Sequence, residues 1–168
     1  MKKISVAVTG LNAIDSPGPG ISVIRALRES KVFDVRIIGL SYETLEPGIY
    51  MHDLVDKTYQ VPLPSTGMEL LMQRLAYICS QERMDVIIPN FDAELFNYIK
   101  LSDRIKKELG ISTFLPDLDA FEARHKVNLS EYGKKHGIRV PKSKTIFNIA
   151  ELSTLKQEFE YPPAIKGK

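Results

Sequence analysis

Three hydrogen-bond acceptors, Asn90, Asp92 and Glu94, directly follow an apolar run at residues 85–89. Such a run, bounded by polar residues, is typical of a strand that is covered on both faces. Open α/β sheets bind their ligands beyond the carboxyl ends of the strands. We therefore predict that these three side chains contact a substrate, for example its amine, or order a partner loop. For Asp92 the competing interpretation is that it N-caps the next helix.

A second candidate site is the loop after the first apolar segment, residues 4–8, which contains Gly10, Gly18 and Gly20. A glycine-rich turn that opens a helix can present backbone N–H groups to a phosphate. The spacing differs from the dinucleotide fingerprint, and residues 39–41 lack the acidic group that would hold a ribose. Gly18 and Gly20 are predicted to line the substrate site. The competing interpretation is a tight turn in which glycine permits close backbone packing.

The sequence gives little support to a P-loop nucleotide site, a zinc site or a hydrolase nucleophile. It contains no P-loop and no H-E-x-x-H motif, and its histidines, His52, His125 and His136, are too scattered to suggest a zinc site. No G-x-S-x-G elbow marks a nucleophile. The single cysteine, Cys79, excludes an internal disulfide and suits a reducing cytosol.

Composition narrows the class of protein. The chain has 168 residues, 43% apolar and 26% charged, and a formal charge of +2, which fits an ordinary globular protein and gives no support to a nucleic-acid or membrane-surface binder. Residues 1–119 carry a net −3 and residues 120–168 a net +5. The cationic part is either a solvated helix face containing Lys134 and Lys135 or a site for an anion such as a nucleotide phosphate.

No segment resembles a targeting or membrane signal. The apolar run after the first three residues stops at Thr9 and Gly10, short of the roughly 7–15 residues of a signal-peptide core. No segment approaches the ~20 apolar residues of a membrane span. We therefore expect a soluble, cytoplasmic protein.

Strand and helix patterns alternate through the first two thirds of the chain. Helical patterns follow Gly20, run from a Thr66/Glu69 capping box to Arg83, and extend from Asp92 to Leu109, where Gly110 ends the helix. The alternation predicts a Rossmann-like α/β fold, a parallel sheet of at least four strands with helices on both faces. The strands are expected at residues 4–8, 35–40, 59–62, 85–89 and 111–115.

A different region begins near Pro116. It is expected to contain a helix over about residues 118–136 that ends at Gly137, a strand near residues 143–147, and a helix capped by Asn148 with Glu151. Residues 162–166 are predicted to form a last strand. We therefore expect a domain at residues 1–116, followed by a truncated α+β segment at residues 117–168 of a longer protein.

Five segments, in this order and spacing, resemble the landmarks of the ATP-grasp ligases: residues 85–95, 109–111, 125–126, 137–141 and 161–166. The resemblance covers nearly the whole chain. It implies that residues 1–116 are a Rossmann-like pre-ATP-grasp domain, similar to those of carbamoyl-phosphate synthase and biotin carboxylase. Residues 117–168 would then begin the nucleotide-binding domain.

The resemblance also implies an activity. Lys126 and Lys166 match the two family lysines that contact ATP, and a lysine ammonium is a compact charge suited to phosphate oxygens. The complete enzyme would use ATP and Mg²⁺ to convert a small carboxylate to an acyl phosphate, from which an amine displaces phosphate. The metal ligands are expected beyond Lys168, so this fragment is expected to be inactive. No catalytic residue is assigned.

A second interpretation belongs to a different class of protein. The chain would be a non-catalytic Rossmann-like module that binds a small ligand or a partner through the edge formed by residues 90–94. In neither interpretation is nucleic acid or membrane a partner. The sequence does not set the oligomeric state, and a homo-oligomer is compatible with it.

Overall fold

The structure is a computed structural model that describes residues 1–14, 18–123, 128–157 and 159. The chain forms two compact units, Met1–Leu118 and Asp119–Lys168. Among the described residues, no helix has the length and apolar character needed to cross a membrane.

The first unit is built on a five-stranded sheet in which every neighbouring pair is parallel. The strand order is β3-β2-β1-β4-β5, with Val6 of β1 opposite Ile37 of β2 and Val86 of β4. This confirms the predicted Rossmann-like α/β fold. The strands are β1 (Lys2–Val8), β2 (Phe33–Ser41), β3 (Lys57–Gln60), β4 (Val86–Ile88) and β5 (Ser112–Thr113).

Helices cover both faces of the sheet, as predicted. They are α1 (Pro19–Arg28), α2 (Met68–Gln81) and α3 (Asp92–Leu109). Successive strand residues point to opposite faces, and two separate apolar clusters result. One cluster joins α1 to one face of the sheet, with Ile24 packed among Val6, Val8 and Ile37. The other joins α2 and α3 to the opposite face, with Leu75, Ile78 and Ile105 packed among Ala7, Ile38 and Ile87.

All five strands are parallel, but the direction in which the chain adds strands to the sheet reverses between β1 and β4. From β1 the chain moves outward to β2 and β3, then returns to place β4 on the other side of β1 and β5 beyond it. The connections that leave the carboxyl ends of β1 and β4 therefore diverge to opposite faces. Open α/β sheets have their ligand crevice at such a switch point.

The predicted Thr66/Glu69 capping box is wrong. Residues Pro64–Thr66 form a 3₁₀ turn, and α2 begins at Met68 after Gly67, whose φ of 104° takes the backbone out of the helical path. The Thr66 hydroxyl donates instead to the carbonyl of Leu63, 2.7 Å away. Glu69 forms an ion pair with Arg104 of α3.

The second unit differs in part from prediction. Where one helix is expected, the described residues form α4 (Leu118–Ala123) and α5 (Leu129–His136), and residues 124–127 between them lie outside the described residues. Asn128 precedes α5 without a capping hydrogen bond from its side chain, whose Nδ2 donates to the Glu122 carbonyl. The strand expected near residues 143–147 is absent, because the described part of this unit offers it no strand to pair with.

Two predictions for the second unit are confirmed. Gly137 ends α5 in the left-handed conformation, with φ 66°. The Asn148/Glu151 cap also forms: Glu151 Oε1 accepts from the Asn148 amide, and Asn148 Oδ1 accepts from the Ala150 amide. The capped element is a 3₁₀ helix, Ile149–Gln157. The strand expected at residues 162–166 lies outside the described residues.

Candidate functional site

Polar side chains from four elements meet at the carboxyl edge of the sheet. Thr9 follows β1, Tyr42 follows β2, Asn90 lies just after β4, and Glu94 lies in the first turn of α3. Their hydrogen bonds to one another place them together at the switch point between β1 and β4. This edge is the candidate site.

Glu94 is the centre of the arrangement and is only 1% exposed. Its Oε1 accepts from the Thr9 hydroxyl at 2.5 Å, the Asn90 amide at 2.7 Å and the Phe91 amide at 2.9 Å. Its Oε2 accepts from the Tyr42 hydroxyl. One carboxylate thus ties together the ends of three strands, and we call this arrangement the Glu94 hub.

The Asn90 side chain is held in one orientation. Its Nδ2 donates to the carbonyls of Thr9, at 3.1 Å, and Ile88, at 2.9 Å. Because two carbonyl oxygens would repel an amide oxygen, this pairing fixes which end of the amide is nitrogen. The Asn90 amide also donates to the Thr9 hydroxyl, at 2.8 Å. Oδ1 of the half-buried Asn90 is left as an oriented acceptor directed away from both carbonyls.

The capping interpretation of Asp92 is wrong. Helix α3 begins at Asp92, and its N-cap position is Phe91. The capping contact comes from Glu94, which accepts from the Phe91 amide in the manner of the third helical residue of a capping box. Asp92 is exposed in the first turn, where the helix dipole favours a carboxylate.

The glycines of the first loop lie where backbones approach closely. A Cβ on Gly20 would stand 1.9 Å from the Thr9 carbonyl oxygen, and one on Gly18 would stand 2.3 Å from that of Asn12. Their amides are already bonded, Gly20 to the Gly10 carbonyl at 3.0 Å and Gly18 to the Asn12 carbonyl at 2.9 Å. The geometry supports the packing interpretation. A contact of these glycines with substrate stays a prediction.

Burial dominates the electrostatics of the hub. Desolvation raises the pKa of Glu94, while the hydrogen bonds from Thr9, Tyr42 and the Phe91 and Asn90 amides oppose that increase. Burial also raises the pKa of the Tyr42 hydroxyl, and the neighbouring Glu94 charge raises it further. Tyr42 therefore remains a neutral donor at physiological pH, and all four donors suit an ionised Glu94.

A second buried carboxylate, Glu46, lies four residues after Tyr42 and is 3% exposed. Its Oε1 accepts from the Tyr42 amide at 2.6 Å and from the Glu43 amide at 3.4 Å. Its Oε2 is buried without a hydrogen-bond partner among the described residues. Desolvation raises the pKa of Glu46, and the charges of Glu43 and Glu94 add to that increase.

The raised pKa of Glu46 predicts a pH dependence of stability. The folded chain holds this proton more tightly than the unfolded chain, so the stabilisation is complete below the ordinary value of 4.5 and is lost as pH rises through the raised pKa. As the pH rises above 4.5, the Glu46→Gln variant should therefore gain stability relative to wild type. Urea unfolding across this range measures the difference.

The matched control is Glu29→Gln, an exposed carboxylate that is not among the groups acting on Glu46. It should leave the pH profile of stability unchanged. Parallel pH profiles for wild type and Glu46→Gln would contradict the prediction.

The structure brings some of the predicted residues together and leaves others untested. Asn90 and Glu94 share the hub, and Asp92 lies beside it. Lys126 and Lys166, predicted to contact ATP, lie outside the described residues. Within the described ranges, no group of three His, Cys, Asp or Glu side chains could hold a metal ion.

Sequence reasoning missed Thr9, Tyr42 and Glu46. A signal for two of them was present, since Thr9 and Tyr42 directly follow the first and second strands and obey the same positional rule that selected Asn90. Nothing in the local sequence marks Glu46, whose burial depends on contacts made after folding.

Comparison with protein-family models and with curated protein sequences finds no match to this chain.

Proposed function

We propose that the chain is the N-terminal part of an ATP-dependent carboxylate ligase of the ATP-grasp type, and that its sheet unit binds a small-molecule substrate at the edge between β1 and β4. The observation that carries this proposal is the convergence of Thr9, Asn90 and Glu94 on the switch point of a parallel sheet. The resemblance of five ordered segments to the ligase family supplies the activity.

Asn90 is the residue of this edge best suited to contact substrate. Its Oδ1 is an acceptor whose direction is set in advance by the two bonds from Nδ2. A fixed acceptor loses little conformational entropy on binding, which favours a ligand with an N–H donor such as an amine. Glu94 acts through Asn90, because its own oxygens already accept four hydrogen bonds.

The nucleotide would be held by the second region of the chain. In this proposal the ammonium groups of Lys126 and Lys166 bind phosphate oxygens of ATP, which supplies the phosphoryl group that activates the carboxylate. The described residues do not fit a Mg²⁺ site, since no group of three metal-ligating side chains occurs among them. A cytoplasmic location suits an ATP-dependent protein whose single cysteine is unpaired.

Alanine substitution of the two lysines tests the nucleotide assignment. Each charge-assisted hydrogen bond to phosphate contributes roughly 1.5–3 kcal/mol, so Lys126→Ala or Lys166→Ala should weaken ATP binding by about tenfold to a hundredfold. Calorimetric titration of the full-length protein with ATP measures the change.

Lys134→Ala and Lys135→Ala are the matched controls, because both lysines are exposed on α5 and carry the same charge. A diffuse positive field would weaken binding similarly at all four positions. Equal losses at the four positions, or none at Lys126 and Lys166, would contradict the assignment.

The second candidate function is a non-catalytic module that binds a small ligand. It is favoured by the fact that the hub and Asn90 are assembled wholly within the first unit, Met1–Leu118. The same titration separates the two candidates, since the ligase proposal requires ATP binding and the module proposal does not.

A further inference from the structure

The carboxyl edge of the sheet is one-sided in charge. Its described residues, those that follow the five strands together with the first turn of α3, are 9–14, 42–50, 61–67, 89–95 and 114–117. None of these described residues is Lys, Arg or His, and their acidic residues are Glu43, Glu46, Asp92, Glu94 and Asp117. The amino edge is mixed by contrast, with Arg83 paired to Asp85 just before β4. The carboxyl edge is therefore a region of negative potential.

The helix N-termini at this edge do not offset that charge for an incoming anion. Such termini bind phosphate or carboxylate through free backbone amides. At α1 the amides of Gly18 and Gly20 donate to the carbonyls of Asn12 and Gly10. At α3 the Asn90 and Phe91 amides donate to Glu94. Internal acceptors thus occupy the amides that an anionic ligand would use.

One buried carboxylate oxygen at this edge has no partner. Oε1 of Glu46 accepts from the Tyr42 and Glu43 amides, whereas Oε2 has no hydrogen-bond partner among the described residues, in a side chain that is 3% exposed. Glu94 is close enough for its charge to act on Glu46. No ion pair within the described part of the chain offsets either carboxylate. A buried carboxylate without a counter-charge favours a cation nearby.

The available acceptor is suited to a compact cation. Asn90 Oδ1 is a single acceptor, oriented by the two bonds from Nδ2. A guanidinium group is best recognised by a carboxylate that accepts two parallel bonds, whereas an ammonium is a point charge that a single acceptor can bind. Glu94 cannot offer the paired arrangement, because its oxygens already accept four hydrogen bonds.

We propose that the edge between β1 and β4 recognises a ligand that carries an alkylammonium group, bound by Asn90 Oδ1 in the negative potential of Glu46 and Glu94. The inference rests on the proposed function, which places a substrate at this edge, and it specifies the charge of that substrate. A protonated amine has no lone pair with which to attack an acyl phosphate. The bound ammonium is therefore a recognition group, and the nucleophile is a different atom.

Three five-carbon probes that differ in charge test the inference: cadaverine with two ammonium groups, pentane-1,5-diol with two hydroxyls, and glutarate with two carboxylates. Each is titrated into the 168-residue chain at pH 7 while backbone amide shifts are recorded by NMR. Cadaverine alone should give saturable shifts, confined to the amides around Tyr42, Asn90 and Phe91. Equal shifts with the diol, shifts with glutarate, or cadaverine shifts spread over other exposed acidic residues such as Asp53 would overturn the proposal.

Glu46→Gln tests the contribution of the buried charge, in a variant that is expected to fold because it removes an unpartnered carboxylate. It should weaken cadaverine binding by about fivefold. Glu29→Gln, an exposed carboxylate at the C-cap of α1, is the matched control and should leave the affinity unchanged. Equal affinities of wild type and Glu46→Gln, or equal losses in the two variants, would overturn the role of Glu46.

The outcome is separable from that of the proposed function. Cadaverine shifts in a protein that does not bind ATP would contradict the ligase proposal and support the cation site. ATP binding without cadaverine shifts would overturn the cation site and leave the ligase proposal standing.

Discussion

Replacing Glu94 with alanine is expected to lower the free energy of unfolding by about 3–4 kcal/mol. The substitution removes the acceptor of four donors, two hydroxyls and two backbone amides, at a position that is 1% exposed. A buried donor without a partner costs roughly 1–3 kcal/mol, although water that enters the vacated space recovers part of that cost. Urea unfolding at pH 7 measures the loss.

Two variants separate the acceptor from the rest of the side chain. Glu94→Gln keeps the shape and can present its one oxygen to Thr9, Asn90 and Phe91, while the Tyr42 oxygen accepts from the new amide nitrogen; it should cost about 1 kcal/mol. Asp92→Ala, an exposed carboxylate of the same turn, should cost about 0.3–1 kcal/mol. If Glu94→Ala cost no more than Asp92→Ala, the hub would not stabilise the fold.

The fold was predictable because its signals are local and repeated. The apolar runs around Val6, Ile37 and Ile87 each mark a strand covered on both faces, and the helical patterns between them require parallel crossovers. Gly110 and Gly137 ended their helices as predicted, since both adopt the positive φ that glycine tolerates. Such features depend on residues that are neighbours in sequence.

The location of Asn90, Asp92 and Glu94 at the carboxyl edge of the sheet was predictable, and the hydrogen-bond pairings of Glu94 were not. The rule that ligands bind at the carboxyl ends of strands selected Asn90, Asp92 and Glu94 together. Glu94 differs from Asn90 and Asp92 because its carboxylate accepts hydrogen bonds from the Thr9 and Tyr42 hydroxyls. These two residues lie 85 and 52 positions away in sequence. No local pattern specifies those pairings. In the structure Glu94 is a buried carboxylate with four internal donors, and its contact with a substrate stays a prediction.

The failed prediction of the start of α2 has a similar cause. Thr66 and Glu69 have the spacing of a capping box, yet Gly67 interposes a positive φ and Glu69 pairs with Arg104 of another helix. Here one glycine and one tertiary contact outweigh a weak local preference.

Replacing Gly20 with alanine is expected to destabilise the protein by about 3 kcal/mol, although alanine is the better helix former by roughly 1 kcal/mol. Gly20 is the second residue of α1, where helix propensity alone predicts a gain. The added Cβ would lie 1.9 Å from the Thr9 carbonyl oxygen and 2.8 Å from that of Gly10. These atoms are backbone and cannot rotate aside, so the clash must displace α1 or the end of β1.

Gly110→Ala provides the comparison that isolates the clash. Gly110 has a φ of 73° but no atom within 4 Å of its added Cβ, so only backbone strain, about 1–2 kcal/mol, should appear. Both substitutions reduce the entropy of the unfolded chain equally, and that contribution cancels in the comparison. Urea unfolding of the two variants shows whether Gly20→Ala lowers or raises the free energy of unfolding. A stabilised Gly20→Ala protein would mean that α1 can move away from Thr9, and that the close approach of loop and helix is not needed to build the β1 end of the site.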